Sequence, residues 1–223
     1  MLAVGLDTEW GSASDAAGEA GVPIGPAVVQ IAARVGSVRG TEGVDAHGGG
    51  DGDDDEAQGK GVSAPRLRVW VIDAAALGDA SGARACAVSD LLRWLFSCDA
   101  IQLLGFALKH DMEQLGALHR RAAAARALAL PGVPGAVSGG SSASDEDKAA
   151  AVADLQALAI AAQSGDNSRQ PGLKRVAERW LGKTMDKAMQ CSEWDTRPLS
   201  RAQLCYAAAD AAVLLDVGAA MGI

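Results

Sequence analysis

The fold is decided by the stretch LAVGLDTEW, residues 2–10, in which an apolar run meets two acids. Residues 2–6 predict a short buried strand that ends at Asp7 and Glu9. Because side chains two positions apart on a strand share a face, both carboxylates point the same way. Like charges this close raise a pKa or recruit a cation, although a solvated strand end would also fit. The stretch predicts the first strand of a sheet and a candidate cation site.

Further apolar segments extend this strand into a sheet. Strands are predicted at residues 27–35, 66–74 and 101–107, and at residues 152–161, where a strand could lead into a helix. Helices are predicted at residues 86–97, about 110–130, 171–181 and about 201–217. Three early strands followed by alternating helices and strands predict an α/β fold, with a mixed central sheet of about five strands flanked by helices.

Capping residues mark the ends of two of these helices. Pro171 suits the first turn of the third helix, and Gly182 suits its end. The last helix has the clearest start signal: Ser200 is placed to cap it, and Gln203 completes a capping box. The neighbouring Leu199 and Leu204 are positioned as a hydrophobic staple.

Two segments do not fit the alternation of strands and helices. Residues 36–64 are rich in Gly and Asp, and residues 131–150 are rich in Gly and Ser, so neither can bury much apolar surface. We expect both to be flexible, low-complexity insertions in a single domain of residues 1–223. The DGDDDE run at residues 51–56 lacks the alternating ligands and central Gly of a calcium loop.

The net charge of -8 would disfavour a nucleic-acid partner if it were spread evenly. Residues 40–60 hold seven acids, however, and residues 141–150 hold three. Without these segments the chain carries 18 acids and 18 bases. The charge therefore does not exclude nucleic-acid binding, although the long acidic insertion would repel nucleic acid if it lay near the cleft.

The cysteines and the hydropathy bear on the cellular compartment. The four cysteines form no C-x-x-C pair and have no paired His spacing, so zinc binding is not expected and reduced thiols fit best. No apolar run of about 18 residues predicts a membrane span, and the N-terminus lacks the features of a signal peptide. We expect an intracellular, reducing environment without a membrane partner; nucleus, cytoplasm and organelle stay open.

Two more acids stand out by their positions. Asp111 follows the fourth predicted strand near the start of a helix, where a carboxylate is also favoured by the helix dipole alone. Asp210 lies inside an Ala-rich helix, four residues after Tyr206, which is the single tyrosine of the chain. That spacing puts both side chains on one helical face, either as part of a site or as a surface pair.

Three motifs carry these acids: VGLDTEW at 4–10, LGFALKHDMEQL at 104–115 and YAAAD at 206–210. Together with SEWDTRPLSRAQLC at 192–205, they resemble the tyrosine-bearing (DEDDy) branch of the DEDD superfamily of 3′-5′ exonucleases, which includes ribonuclease D, Werner-type and Mut-seven-like exonucleases. The histidine-bearing branch would place a His where this chain has Cys205. The resemblance covers nearly the whole chain except the two insertions. It implies an RNase H-like fold and hydrolysis from the 3′ end of RNA or DNA, with release of nucleoside monophosphates.

The resemblance also implies a role for each residue of the motifs. Two divalent cations, Mg²⁺ or Mn²⁺, suit carboxylate ligands and would support a two-metal-ion mechanism. Asp7 would bridge both ions, Glu9 and Asp210 would hold the ion that activates a water, and Asp111 would hold the second ion largely through water. Tyr206 would orient or deprotonate the attacking water.

Substrate contacts are less sharply indicated. Thr8 and Trp10 adjoin the acid pair, and Trp10 could stack near the terminal base or belong to the core. Lys109, Lys187 and Arg197 could meet phosphates, or could equally be ordinary solvated charges. We expect a single-stranded 3′ end as the substrate, with RNA slightly favoured over DNA, and an accessory domain or protein partner could contribute to binding.

Two other functions stay open at this level. The first is a catalytically weak or inactive module that binds nucleic acid or protein on the same fold. The second is a different metal-dependent phosphohydrolase on an RNase H-like scaffold. The complete set of four acids and a tyrosine favours the active exonuclease.

Overall fold

A computed structural model of the chain describes residues 1–11, 25–36, 65–74, 83–129, 152–162 and 170–223. Its strands are β1 (Leu2–Glu9), β2 (Val28–Val35), β3 (Arg66–Asp73), β4 (Ile101–Gly105) and β5 (Val152–Asp154). Its helices are α1 (Ala83–Ser97), α2 (Lys109–Ala129), α3 (Leu155–Ala161), α4 (Leu173–Leu181) and α5 (Arg201–Met221). The two predicted insertions, residues 36–64 and 131–150, lie outside the described residues except at Gly36 and stay predictions.

The strands form one mixed sheet in the order β3-β2-β1-β4-β5. Strands β1, β2 and β3 pair antiparallel, whereas β4 and β5 run parallel to β1 and to each other. The predicted α/β fold with a mixed five-stranded sheet is confirmed. Because β1 lies between β2 and β4, its carboxyl end lies between β2 and α2, the helix that follows β4.

The two faces of β1 pack against different helices. Val4 and Leu6 belong to the core cluster that includes residues of α1 and α2. Gly5 points to the opposite face, where a Cβ atom would lie 2.4 Å from the carbonyl oxygen of Ala211 in α5. Glycine at this position is therefore what allows α5 to approach the sheet so closely. The alternation places Asp7 and Glu9 on the α5 face and Thr8 on the α2 face.

Several predicted boundaries are wrong for identifiable reasons. Strand β1 continues to Glu9, because β2 pairs with it as far as Glu9↔Val28. Strand β4 stops at Gly105, since Ala107 adopts a left-handed backbone with φ 55 that ends the strand. Residues 152–161, in contrast, form a strand that leads into a helix as predicted: β5 ends at Asp154, whose side chain caps α3 by accepting from two amides of its first turn.

Helix boundaries also differ from those predicted. Helix α4 begins after Pro171, with Gly172 as its N-cap, and it ends at Gly182, as predicted, in a left-handed conformation with φ 64. Helix α5 continues past residue 217 to Met221, and Gly222 is its left-handed C-cap. Gly218 lies within the helix and packs against Leu104 of β4.

The predicted start of α5 is confirmed. Ser200 and Gln203 form both hydrogen bonds of the capping box. Leu199 packs near Trp194 and Tyr206, whereas Leu204 stays exposed, so the two leucines do not share a buried environment as a staple would require. In the described part of the chain, α5 is the one helix long and apolar enough by composition to cross a membrane. In this fold it is the helix that packs across the sheet.

Candidate active site

Three carboxylates meet where the end of β1 faces α5. Asp7 and Glu9 come from β1, and Asp210 comes from α5. One ligand atom from each lies within 4.8 Å of the others. Asp210 is only 4% exposed, so the structure places it in the interior and not in a surface pair with Tyr206. The predicted acids of the first and third motifs are thus brought together across the interface between sheet and helix.

The fourth acid, Asp111, is held by the other face of β1. Thr8 lies between Asp7 and Glu9 but points toward α2, and its hydroxyl donates to Asp111 Oδ1 at 2.5 Å. Both residues are buried. The negative charge of Asp111 still acts on Asp7, because after desolvation it contributes most to raising the pKa of Asp7. Thr8 is therefore engaged in holding an acid, and we leave it out of the proposed substrate contacts.

Asp154 fixes the chain segment that leads to Asp111, and the sequence interpretation missed it. Its carboxylate accepts from the backbone N–H of Ala107 at 3.1 Å and of Leu108 at 3.2 Å. The same carboxylate accepts from Gln156 N at 2.8 Å at the start of α3. One side chain thus ties the end of β5 to the left-handed turn before α2. The signal available in the sequence was an Asp directly before the apolar helical run LQALAIA.

Burial and mutual repulsion disfavour ionisation of the clustered acids. Desolvation, then the charges of Asp111 and Asp210, raise the pKa of Asp7 to about 8. Desolvation, followed by the charge of Asp7, raises the pKa of Glu9 to about 9. Burial also raises the pKa of Asp111, although the Thr8 hydroxyl opposes the shift. Because burial and repulsion disfavour the negative charges of these acids, a bound cation would stabilise the cluster.

Tyr206 and Lys187 complete this side of the cluster. Tyr206 is 7% exposed, and burial, with the neighbouring Asp210, raises its pKa far above the usual range. Lys187 Nζ donates to Asp210 Oδ2 at 2.8 Å and to Tyr206 Oη at 3.3 Å. The phenol therefore stays protonated near neutral pH, and the ammonium of Lys187 supplies positive charge beside Asp210.

Arg197 is occupied by the protein itself. Its guanidinium forms a two-pronged pair with Asp73, at 2.7 and 2.5 Å, and donates to the carbonyl oxygens of Ala27 and Trp194. The peptide bond to Pro198 is cis. These contacts anchor the loop before α5 to the end of β3. Because its donors are used internally, we do not carry Arg197 forward as a phosphate contact.

Trp10 and His110 flank the acids. Trp10 follows Glu9, His110 precedes Asp111, and their rings meet edge to face with centroids 4.5 Å apart. His110 also lies 3.5 Å from the Glu113 carboxylate and remains partly exposed, as expected for a residue at a helix start. Lys109, the first residue of α2, is exposed. The described surface beside the cluster thus offers an aromatic pair and a nearby ammonium.

The donor set fits hard divalent cations. The three clustered groups offer only carboxylate oxygens, which Mg²⁺ and Mn²⁺ prefer. The four cysteines are free thiols, and none belongs to this cluster.

The mixed sheet and its acidic cluster place the chain in the class of RNase H-like nucleases. A family model described as 3'-5' exonuclease matches residues 63–222, and the chain belongs to this family. The match begins after β1 and does not include Asp7 and Glu9, which the structure brings together with Asp210.

Similar proteins agree with this assignment. The human protein named exonuclease mut-7 homolog is 34% identical over 155 residues, which cover 69% of this chain and 16% of that protein. Ribonuclease D of Acidiphilium cryptum is 44% identical over 64 residues, or 29% of this chain and 16% of that protein. The Nibbler EXO domain of Aedes aegypti has the same fold, with a TM-score of 0.53 and 21% identity over 98% of this chain and 77% of that one. The matched region is therefore a small part, 16%, of both the human exonuclease mut-7 homolog and the Acidiphilium cryptum ribonuclease D.

Proposed function

We propose that this chain is a 3′-5′ exonuclease that hydrolyses the terminal phosphodiester bond of a nucleic acid and releases nucleoside monophosphates. The observation that carries the proposal is the convergence within 4.8 Å of Asp7, which is half-buried, with Glu9 and Asp210, which are buried. Desolvated carboxylates with pKa values raised to about 8 and about 9 are unfavourable in a purely structural role. Family membership supports the same activity.

Each acid has a distinct part in this proposal. Asp7 would hold both of two divalent cations, Mg²⁺ or Mn²⁺, Glu9 and Asp210 would hold one of them, and Asp111, which Thr8 orients, would hold the other. When bound, the ions supply an activated water and neutralise the charge that develops on the leaving oxygen. The carboxylates keep the two positions fixed, because β1 and α5 are rigid elements joined through the core.

Tyr206 acts as a hydrogen-bond donor and not as a base. Its raised pKa keeps the phenol protonated, which favours orientation of the attacking water over deprotonation. Lys187 would contact a phosphate oxygen, and the position of its ammonium beside both Tyr206 and Asp210 supports this role. Orientation by these two groups would decide which water attacks.

The substrate is proposed to be a single-stranded 3′ end. Trp10, packed against His110, would stack on a base, and Lys109 would meet a backbone phosphate. The similarity to ribonuclease D favours RNA over DNA. An accessory domain or protein partner would add affinity, since the described surface offers few free basic groups near the acids.

Polarity and substrate class are tested together on matched RNA and DNA strands. We expect 5′-labelled single strands to give a ladder that shortens from the 3′ end, with mononucleotides as the released product and faster digestion of RNA. Internal cuts, or shortening from the 5′ end, would contradict the exonuclease proposal. Binding of the strands in Mn²⁺ without digestion would favour the inactive binding module.

A further inference from the structure

Gln30 of β2 is a fully buried amide without a hydrogen-bond partner. Its exposure is 0%, and neither Oε1 nor Nε2 has a partner. Among the described residues, the Oε1 of Gln114 is the other buried side-chain atom in this condition. An unpaired buried amide lowers the stability of the folded state, so a purely structural role favours an apolar side chain here.

The register of the sheet places Gln30 beside Asp7. The two residues are directly paired across β1 and β2. Val28 and Ala32, two positions away on either side, pack with Ala207 and with Ala211 of α5, respectively. Gln30 therefore lies on the α5 face of β2, the same face on which Asp7 joins the carboxylate cluster.

Reach and chemistry are both suitable for a contact between these side chains. Directly opposed residues in an antiparallel pair have Cβ atoms about 4.5–5.5 Å apart, and the glutamine side chain is long enough to span that gap. A neutral amide can donate to a carboxylate without cancelling the negative charge that a cation needs. The apolar neighbours Val28 and Ala32 on the same strand face offer no side-chain acceptor.

We propose that Gln30 is a positioning residue for Asp7, whose amide donates to the Asp7 carboxylate when that carboxylate binds a divalent cation. The inference rests on the proposed function only in assigning Asp7 as a metal ligand. It adds an outer partner that no motif of the chain indicates. Groups of this kind orient a ligand, and their loss costs about 10–100-fold in metal affinity or activity.

The test is Gln30→Met, which keeps an unbranched side chain of similar length and removes the amide. Mn²⁺ binding to the full chain is measured calorimetrically without substrate, beside thermal melting in EDTA. We expect an unchanged or higher melting temperature in EDTA and a 10–100-fold weaker Mn²⁺ affinity. Gln102→Met on β4 is the matched control, since Gln102 pairs with Ala3, far along β1 from Asp7, and should leave Mn²⁺ affinity unchanged.

A second variant, Gln30→Leu, also removes the amide donor and places an apolar side chain at the same buried position. It should weaken Mn²⁺ binding about as much as Gln30→Met. Wild-type Mn²⁺ affinity in either folded variant overturns the inference, even if the wild-type protein digests nucleic acid. Weakened Mn²⁺ binding in both variants supports it, even if the wild-type protein proves inactive as a nuclease.

Discussion

At the scale of single residues, the Lys187 ammonium pairs with the Asp210 carboxylate, which the proposed function assigns as a ligand of a metal ion. Its ammonium lies 2.8 Å from Asp210 Oδ2, so cation binding must displace it or overcome its charge. We therefore expect Lys187→Met to bind Mn²⁺ several-fold more tightly than the wild type in the absence of substrate. Calorimetric titration with Mn²⁺ measures the effect.

Lys183→Met is the control for this prediction. Lys183 lies on the same connection between α4 and α5 but is exposed. Its replacement should leave Mn²⁺ affinity at the wild-type value. Equal or weaker binding in Lys187→Met would show that the lysine does not compete for Asp210.

The raised pKa of Asp7 predicts how the metal-free protein responds to pH. The folded pKa of about 8 exceeds the unfolded value near 3.8, so the folded state holds more protons between these values. The free energy of unfolding that this group contributes therefore falls as pH rises from about 4 to 8. In EDTA, Asp7→Asn should melt a few degrees above the wild type at pH 8, with a smaller difference at pH 5.

Melting curves in EDTA across pH 5–9 measure this difference. Added Mn²⁺ should reverse the sign of this difference in melting temperature at pH 8, because the wild type then binds an ion that the variant binds poorly. A wild type that melts above Asp7→Asn in EDTA at every pH would contradict the raised pKa.

Residues differ in how far the sequence reveals their role. Asp7, Glu9 and Asp210 could be predicted because a carboxylate on an apolar strand or in an Ala-rich helix is unusual in itself. The role of Gln30 could not be predicted, since a polar residue in a strand ordinarily indicates an exposed position. Its place beside Asp7 follows from the register of β2 with β1. The role of Arg197 could not be predicted either, because its partner Asp73 is 124 residues away.

At the scale of elements, the turn before α2 concentrates backbone strain next to the site. Ala107 has φ 55, a left-handed conformation that costs an alanine about 1 kcal/mol relative to glycine. We expect Ala107→Gly to raise the free energy of unfolding or leave it unchanged. Ala162→Gly, at a right-handed position with φ -79, should lower the free energy of unfolding or leave it unchanged. The free energy of unfolding should therefore be larger for Ala107→Gly than for Ala162→Gly.

Denaturant unfolding of both variants compares these effects. A lower free energy of unfolding in Ala107→Gly than in Ala162→Gly would show that the turn is not strained. The Asp154 carboxylate, which accepts from Ala107 and Leu108, is what holds the turn in this conformation.

The start of α5 was more predictable than its end or the end of β1. The capping box of Ser200 and Gln203 is a local signal, and the structure confirms it. The ends of β1 and α5 depend on distant partners, namely Val28 across the sheet and Leu104 beneath Gly218. Local sequence carries little information about such contacts.

At the scale of the whole molecule, the site exists because three separate segments converge on the end of one central strand. Strand β1 carries two acids, α5 lies against one of its faces because Gly5 allows close approach, and α2 brings Asp111 to the other. The alternation of strands and helices was enough to predict the α/β class. The pairing order of the strands was not predictable, since it depends on contacts between segments as far apart in the sequence as Leu2 and Ile101.

The central claim is that the buried carboxylates drive hydrolysis, and one pair of variants tests it on a single helix. Asp210→Asn removes a clustered acid, whereas Asp216→Asn alters a partly exposed acid of α5 paired with Arg34. The measurement is the single-turnover rate of mononucleotide release from 3′-labelled RNA in Mn²⁺. We predict a loss of at least about a hundredfold in Asp210→Asn, the scale of several kcal/mol of charge stabilisation, and a nearly unchanged rate in Asp216→Asn. Wild-type digestion by folded Asp210→Asn would contradict the account.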